Sequence, residues 1–400
     1  MKHVYQLISV TLTVFTSVLE GSTFNRSFFY RASSFWQEPR FEKQFLTTLD
    51  IAFSGGSTYK GRNKCGQTTN ILSIDSPAHL PILKKCKEST FKSSPNKVRL
   101  EGVFDLFEAN FNLYQNFCHG FFLHFHLPVV LAQVHSFKRY NSSCTKTSKK
   151  YTPVWKQTVQ SLESFIQKCD LCVHSLRKAA LSDTSLLLGW TSSFDGPCYS
   201  DFIDVTLQAG VLFPTGKKKN AKLLYDISYG YNGHWGFSFI GDIALGACDW
   251  LTVGLHSDII AFGNRTAGIP LSRSIDSITA KEALARISAG PVWRLGTYMK
   301  ADHFCSPISL LLALAYEQKN HDKVQPKSSA FAQSLAIRNV QLKTWSRWLL
   351  HFLFEYDFTT EESFIGPRIG IFYNRELAGK HVFSTHTGGG FLGLDVTWCF

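Results

Sequence analysis

The chain has 400 residues, a net charge of +12, 14% aromatic residues and only 18% charged residues. Its 34 Phe and 9 Trp are dispersed among polar positions, and no run approaches the roughly 18 apolar residues that a membrane-crossing helix needs. That excludes a helical membrane protein and leaves a large β-sandwich or a transmembrane β-barrel. A basic chain also suggests nucleic acid, but no aromatic-interleaved basic groove or binding fold accompanies the charge, so no nucleic-acid partner is expected.

In chain order, Met1-Lys2-His3 is a short basic start, Val4 to Leu19 is apolar with Thr and Ser interspersed, and small residues follow at Gly21 and Ser22. The pattern predicts a secretory signal peptide over 1–21, with Leu19 a poor fit to the cleavage site and a buried first strand the alternative. Residues 22–43 then form an N-terminal periplasmic or lumenal segment, and 44–400 the barrel.

From there a period of two recurs. "FLTTLDIAFS" sets Phe45, Leu49, Ile51 and Phe53 against Thr48, Asp50 and Ser54. "FIDVTLQAGVLF" sets Ile203, Val205, Leu207 and Val211 against Asp204, Thr206 and Gln208. "HWGFSFIGDIAL", "WLTVGLHSDIIAF" and "RWLLHFLFEYDF" repeat the device, with Asp242, His256, Asp258, Arg347, His351, Glu355 and Asp357 on their polar faces. Alternation of this kind marks a strand with one apolar and one wet face. Sandwich strands typically run about five or six residues. These run about ten, the length a tilted strand needs to cross a bilayer.

Twelve such segments are predicted, near 44–54, 97–113, 119–131, 185–193, 202–214, 234–246, 250–263, 292–302, 306–317, 345–358, 367–374 and 391–400. The alternation in 97–113 slips around Phe107-Glu108, which predicts a bulge there or two separate pieces. The links between segments alternate between long and short, ending with a moderately long 375–390. This is the outer-membrane pattern of long external loops and short periplasmic turns. Trp190, Trp235, Trp250, Trp293, Trp345, Trp348 and Trp398 fall near segment ends, where interfacial girdles belong.

Leu394, Val396, Trp398 and Phe400 alternate to the final residue. In this the sequence resembles the Gram-negative outer-membrane β-barrel superfamily over roughly residues 44–400. The resemblance implies that these four residues form the signal read by the barrel-assembly machinery. "GVLFPTGKKKN" at 210–220 also looks like a strand-to-loop hairpin of some exported barrel transporters of hydrophobic or aromatic compounds. The fold class expected is an all-β antiparallel transmembrane barrel of about twelve strands with helical insertions in its long loops, located in the bacterial outer membrane.

The loops carry the excess positive charge. Lys60, Arg62, Lys84, Lys85 and Lys87 lie in the first loop, Lys138, Arg139, Lys146, Lys149 and Lys150 in the next, and Lys217 to Lys219 follow. An external basic rim would attract anionic groups, including those of outer-membrane lipids and lipopolysaccharide, although a merely solvated surface is the commonest reading of such runs. Five cysteines (Cys65, Cys86, Cys144, Cys169 and Cys172) fall in long loops. Cys118, Cys198, Cys248 and Cys305 fall in or beside short turns, and Cys399 precedes the last residue. "CDLC" at 169–172, beside His174, has the spacing of a redox or metal pair, but without a second CxxC it reads as loop disulfides or free thiols. Helical spacing of apolar residues predicts a helix over 154–181, with shorter helices at 278–289 and 329–339. No metal or other cofactor is expected.

The lumen-lining candidates are Asp50, Asp204, Asp242, His256, Asp258, Arg294, Lys300, Asp302, Arg347, His351, Glu355, Asp357, Arg368 and Asp395. A polar, dispersed lining suits a porin or channel for small solutes rather than an enzyme. Two alternatives stand beside it, a structural or adhesive surface barrel and a hydrolase in the barrel wall. For the latter, pairing Gly246 with Trp250 would put Ser238 opposite Asp258 and diagonal to His256. The outer-membrane phospholipase family carries a Gly-x-x-His-x-Ser-type motif, whereas "GHWGFS" has Gly two residues after His234.

Overall fold

The structure, a computed structural model, describes residues 45–62, 65–70, 98–141, 176–195, 200–218, 229–248, 250–270, 282–305, 307–327, 344–359 and 364–398. Several expectations lie outside them: the leader and segment 1–43, the helices at 154–175 and 329–339, most loop lysines, the CDLC pair, Cys86, Cys144, Cys198, Cys399 and Phe400.

Twelve strands close into one antiparallel barrel. They are β1 (Leu46–Thr58), β2 (Val98–Asn116), β3 (Phe121–Asn141), β4 (Thr184–Asp195), β5 (Phe202–Phe213) and β6 (Gly236–Cys248), then β7 (Leu251–Phe262), β8 (Val292–Ala301), β9 (Ile308–Lys319), β10 (Trp345–Asp357), β11 (Ile365–Lys380) and β12 (His386–Thr397). Each pairs with its chain neighbours, and β1 pairs with β12 from Leu46↔Thr397 to Gly55↔Gly388, which closes the ring. No sheet edge is left in the barrel, as a bilayer requires.

The period of two sorts the side chains. Phe237, Leu255 and Ile371 stand outward at 63%, 61% and 62% exposure, while His256, Arg347 and His351 stand inward at 2%, 2% and 1%. Outward apolar residues recur on every strand, for example Leu188, Leu207, Ile243, Val253, Leu295, Leu312, Phe352 and Leu392. In water such a belt would be an exposed apolar patch far beyond that of a soluble monomer. In lipid it is the matching surface. Trp235, Trp250, Trp348 and Trp398 stand exposed near strand ends, where amphipathic rings meet headgroups. Trp345 does not join them: it faces inward against Leu212, Ile260, Val292 and Val382.

The interior is layered. A middle layer packs Leu311, Leu349, Leu353, Phe372, Phe391 and Tyr298 with small alanines. Aromatic rings there lie over cross-strand glycines. A Cβ on Gly254 would come within 2.2 Å of the Tyr298 ring, and one on Gly370 within 2.1 Å of Phe391. These glycines let the rings lie flat against the wall.

Four expectations about elements are corrected. Residues 282–288, expected as helix, form a strand between Asn264–Pro270 and Lys323–Pro326. Ala285 and Ile287 are buried while Leu284 is exposed, a period of two that outweighs helix propensity. Leu176–Leu181 is likewise a strand, paired with β3 at Val129–Val134. The slip in β2 lies between Glu101 and Val103, and the register runs unbroken from Val103 to Asn116. Inward Phe104, which meets Phe383 at 5.6 Å between ring centroids, mimicked a phase change. The 375–390 link shrinks to 381–385, because β11 runs to Lys380 and β12 starts at His386. Outward Arg375 and the side-chain-free Gly388 to Gly390 had hidden that alternation.

Candidate functional site in the barrel interior

The inward residues of β10, β11, β12 and β1 form a buried charged cluster toward the short-turn end. Arg368 is its centre. Its Nη2 donates to Asp50 Oδ1 at 3.0 Å, its Nη1 donates to Glu355 Oε1 at 3.3 Å, and its Nε lies 3.0 Å from Asp395 Oδ2. Thr48 Oγ1 donates to Asp395 Oδ1 at 2.6 Å. The strand between β11 and β1 presents Gly393 at this level. A Cβ there would sit 2.7 Å from Asp50 Oδ1 and 3.1 Å from the Arg368 guanidinium carbon. Glycine is therefore what lets one arginine reach across a strand. Burying one charge costs several kcal/mol, so a cluster like this persists only when its charges are paired and hydrogen-bonded.

A second charged row lies toward the long-loop end. Arg347, Glu317, Arg294 and Asp258 are direct register partners on β10, β9, β8 and β7, and their signs alternate. Arg347 Nε donates to Glu317 Oε2 at 2.6 Å. Arg294 Nη2 lies 3.8 Å from Asp258 and 4.0 Å from Glu317. Glu317 is a member of the row that sequence reasoning missed. It sits in "LLALAYEQK", where the inward neighbours Leu311, Ala313 and Ala315 are apolar, so the segment shows no polar face.

Between these rows, His256 faces Asp242 across β6 and β7, with Nδ1 3.3 Å from Asp242 Oδ2. Tyr298 donates its hydroxyl to Asp242 Oδ1 at 2.7 Å. Ser238 faces Ile260, because Gly246 pairs with Thr252 rather than Trp250 after an irregularity at Leu251/Thr252. Ser238 and His256 are therefore four positions apart, about 13 Å along the strand. The Ser238–His256–Asp258 arrangement is not assembled. His351 pairs with Asn374 through Nδ1 and Oδ1.

The inner wall is not uniform. From β9 through β12 and β1 to β3 its side chains are nearly all buried, whereas on β5 to β8 Asp204, Thr206, Asp242, Thr252 and Lys300 are partly exposed. Thr206 and Asp242 are register partners. Asp302 lies in the turn after β8 rather than on the inner face. Burial there opposes its ionisation. Lys300 at 3.0 Å and the donated Ser309 hydroxyl at 2.6 Å outweigh burial and hold its pKa below the ordinary carboxylate value. Asp357 ends β10, buried, with its Oδ1 accepting from the Thr359 amide at 2.8 Å. Among the described residues no group of metal-ligating side chains occurs.

A closed twelve-stranded antiparallel barrel with a lipid-facing belt and an ionised interior defines a β-barrel of the outer-membrane type. A solved structure shares the fold. An outer membrane channel from Pseudomonas putida F1 superposes with a TM-score of 0.51 at 10% identity, covering 90% of this chain and 99% of that one. A Pseudomonas aeruginosa FadL homologue (TM-score 0.31, 8% identity, 88% and 89% covered) and the P. putida toluene transporter TodX (0.33, 9%, 90% and 91%) are more distant. At 10% identity the likeness to the first of these is one of fold. Neither a protein-family model nor a curated protein matches the sequence.

Proposed function

We propose that this chain is an outer-membrane channel for small solutes, with a path along the β5–β8 side of the interior. The observation that carries the reading is the partly exposed inner arc of Asp204, Thr206, Asp242, Thr252 and Lys300 facing an otherwise buried wall. The likeness of the whole fold to an outer membrane channel supports it. The polar arc suits a hydrated solute, and the lumen-lining role is proposed above all for Asp204, Asp242 and Lys300, with buried His256 positioning Asp242. Asp50, Asp258, Arg294, Arg347, His351, Glu355, Asp357, Arg368 and Asp395 would instead hold the barrel's shape. Surrounding lipids, lipopolysaccharide and the barrel-assembly machinery are the partners this reading implies, the last through Leu394, Val396, Trp398 and Phe400.

Purified protein in planar bilayers should give discrete conductance steps that change size in an Asp204→Asn/Asp242→Asn double variant. The buried arc favours one other reading, a closed surface barrel whose loops carry the function. A complete lack of conductance from correctly folded protein would select it.

A further inference from the structure

Among the described side chains, the exposed basic groups on the lipid-facing side of the twelve strands gather on β11 and β12. Arg375 and His386 are direct register partners, both exposed. Lys380 joins them because the register shift at Trp348/Leu349 takes up Leu377 as an extra residue. Beyond that shift Lys380 faces Ser346, so it too points outward. Arg375 and Lys380 make no ion pair or hydrogen bond among the described residues. The neighbouring acid, Glu376, points inward and is held by Arg62 Nε at 2.8 Å.

Depth gives the cluster its meaning. Ile365, Ile369 and Ile371 of the same strand face outward in the apolar belt, and Tyr373 follows them. Trp293, Tyr316 and Trp348 form a long-loop-side aromatic band, whose Trp348 faces Ala378 on β11, while Tyr373 faces Phe352. In that band Tyr316 lies 5.3 Å from the Trp293 ring and 5.0 Å from the Trp348 ring. Arg375, facing Leu350, lies one outward step short of Trp348, and Lys380, facing Ser346, one step beyond it, so the cations flank this band at the level of lipid headgroups. An outward arginine is costly at the bilayer midplane but nearly neutral at the interface, where guanidinium and ammonium groups pair with phosphate.

We propose that Arg375, Lys380 and His386 form a binding site for the phosphate groups of an outer-leaflet glycolipid of the lipid A type. The inference rests on the outer-membrane placement above, which puts the long-loop side outside. It does not rest on conduction, and it involves residues other than the loop lysines.

The test titrates lipid A and its dephosphorylated counterpart onto the full-length barrel in neutral detergent, followed by native mass spectrometry. Wild type should bind the phosphorylated form roughly tenfold more tightly. Arg375→Ala/Lys380→Ala should lose that preference, and Lys217→Ala, a change in an exposed loop, should keep it. Equal affinity for both lipids, an unaffected double variant, or an equal loss in Lys217→Ala would overturn the site. Equally tight binding of phosphatidylglycerol would do so as well. The double variant's conductance should match wild type, so a failure here is separable from a failure of the channel reading.

Discussion

At the residue scale, Arg368 and Asp302 show how context sets the value of a contact. Lys300 and Asp302 approach to 3.0 Å, the same distance as Arg368 and Asp50, but their side chains are 26% and 36% exposed. Exposed pairs contribute at most about 1 kcal/mol, whereas removing one partner of a buried pair costs about 3–5 kcal/mol. Arg368→Gln should therefore lower the thermal unfolding temperature of the detergent-solubilised barrel far more than Lys300→Gln, and equal shifts would refute the ranking. Gly393→Ala should cost about 1–3 kcal/mol, because its Cβ must displace Asp50 or the guanidinium. Asp302 makes a pH prediction. Its folded pKa is depressed, so its contribution is present above the unfolded value near pH 4 and is lost as pH falls through the lower folded value. Asp302→Asn should flatten the stability profile in that acidic window, by lowering stability modestly at neutral pH while leaving the most acidic end unchanged. An identical acid limb in wild type and variant would rule the contribution out.

At the scale of elements, the strands were legible because a period of two sustained over about ten residues is hard to produce otherwise, and each of the twelve expected segments overlaps a barrel strand. What failed was local. "EALARIS" at 282–288 carries helix-favouring residues, but pairing on both sides made it a strand. The β6–β7 register depended on an irregularity at Leu251/Thr252 that no residue type announces, and with it went the apparent Ser238–His256–Asp258 proximity. The interior pairings were half legible: the inward acids and bases alternate visibly, but Arg368 reaching Asp50 needs Gly393 on an intervening strand. Sidedness follows from turn length and can be checked on native thiols. Cys118 and Cys305 are exposed in short turns, while Cys65 is exposed on the long-loop side. A membrane-impermeant maleimide should label Cys65 in intact cells and reach Cys118 and Cys305 only after permeabilisation. The opposite order would invert the topology. Deleting Phe400 should sharply reduce insertion while export proceeds, and normal surface levels would exclude the terminal-signal role.

At the scale of the whole molecule, a net charge of +12 does not decide what passes through. Loop charges are screened within about 8–10 Å at physiological salt, so a permeating ion responds mainly to the groups it passes. Most inward carboxylates are spoken for: Asp50, Glu355 and Asp395 by Arg368, and Glu317 by Arg347. On the partly exposed arc Lys300 is matched by Asp302, which leaves Asp204 and Asp242 as the reachable charges. The most direct measurement of the channel reading is the reversal potential of single channels in a potassium chloride gradient. The expected result is a small conductance with a modest cation preference that persists at high salt and falls in Asp204→Asn/Asp242→Asn. A clear anion preference at high salt, or no conductance from folded barrels, would contradict it.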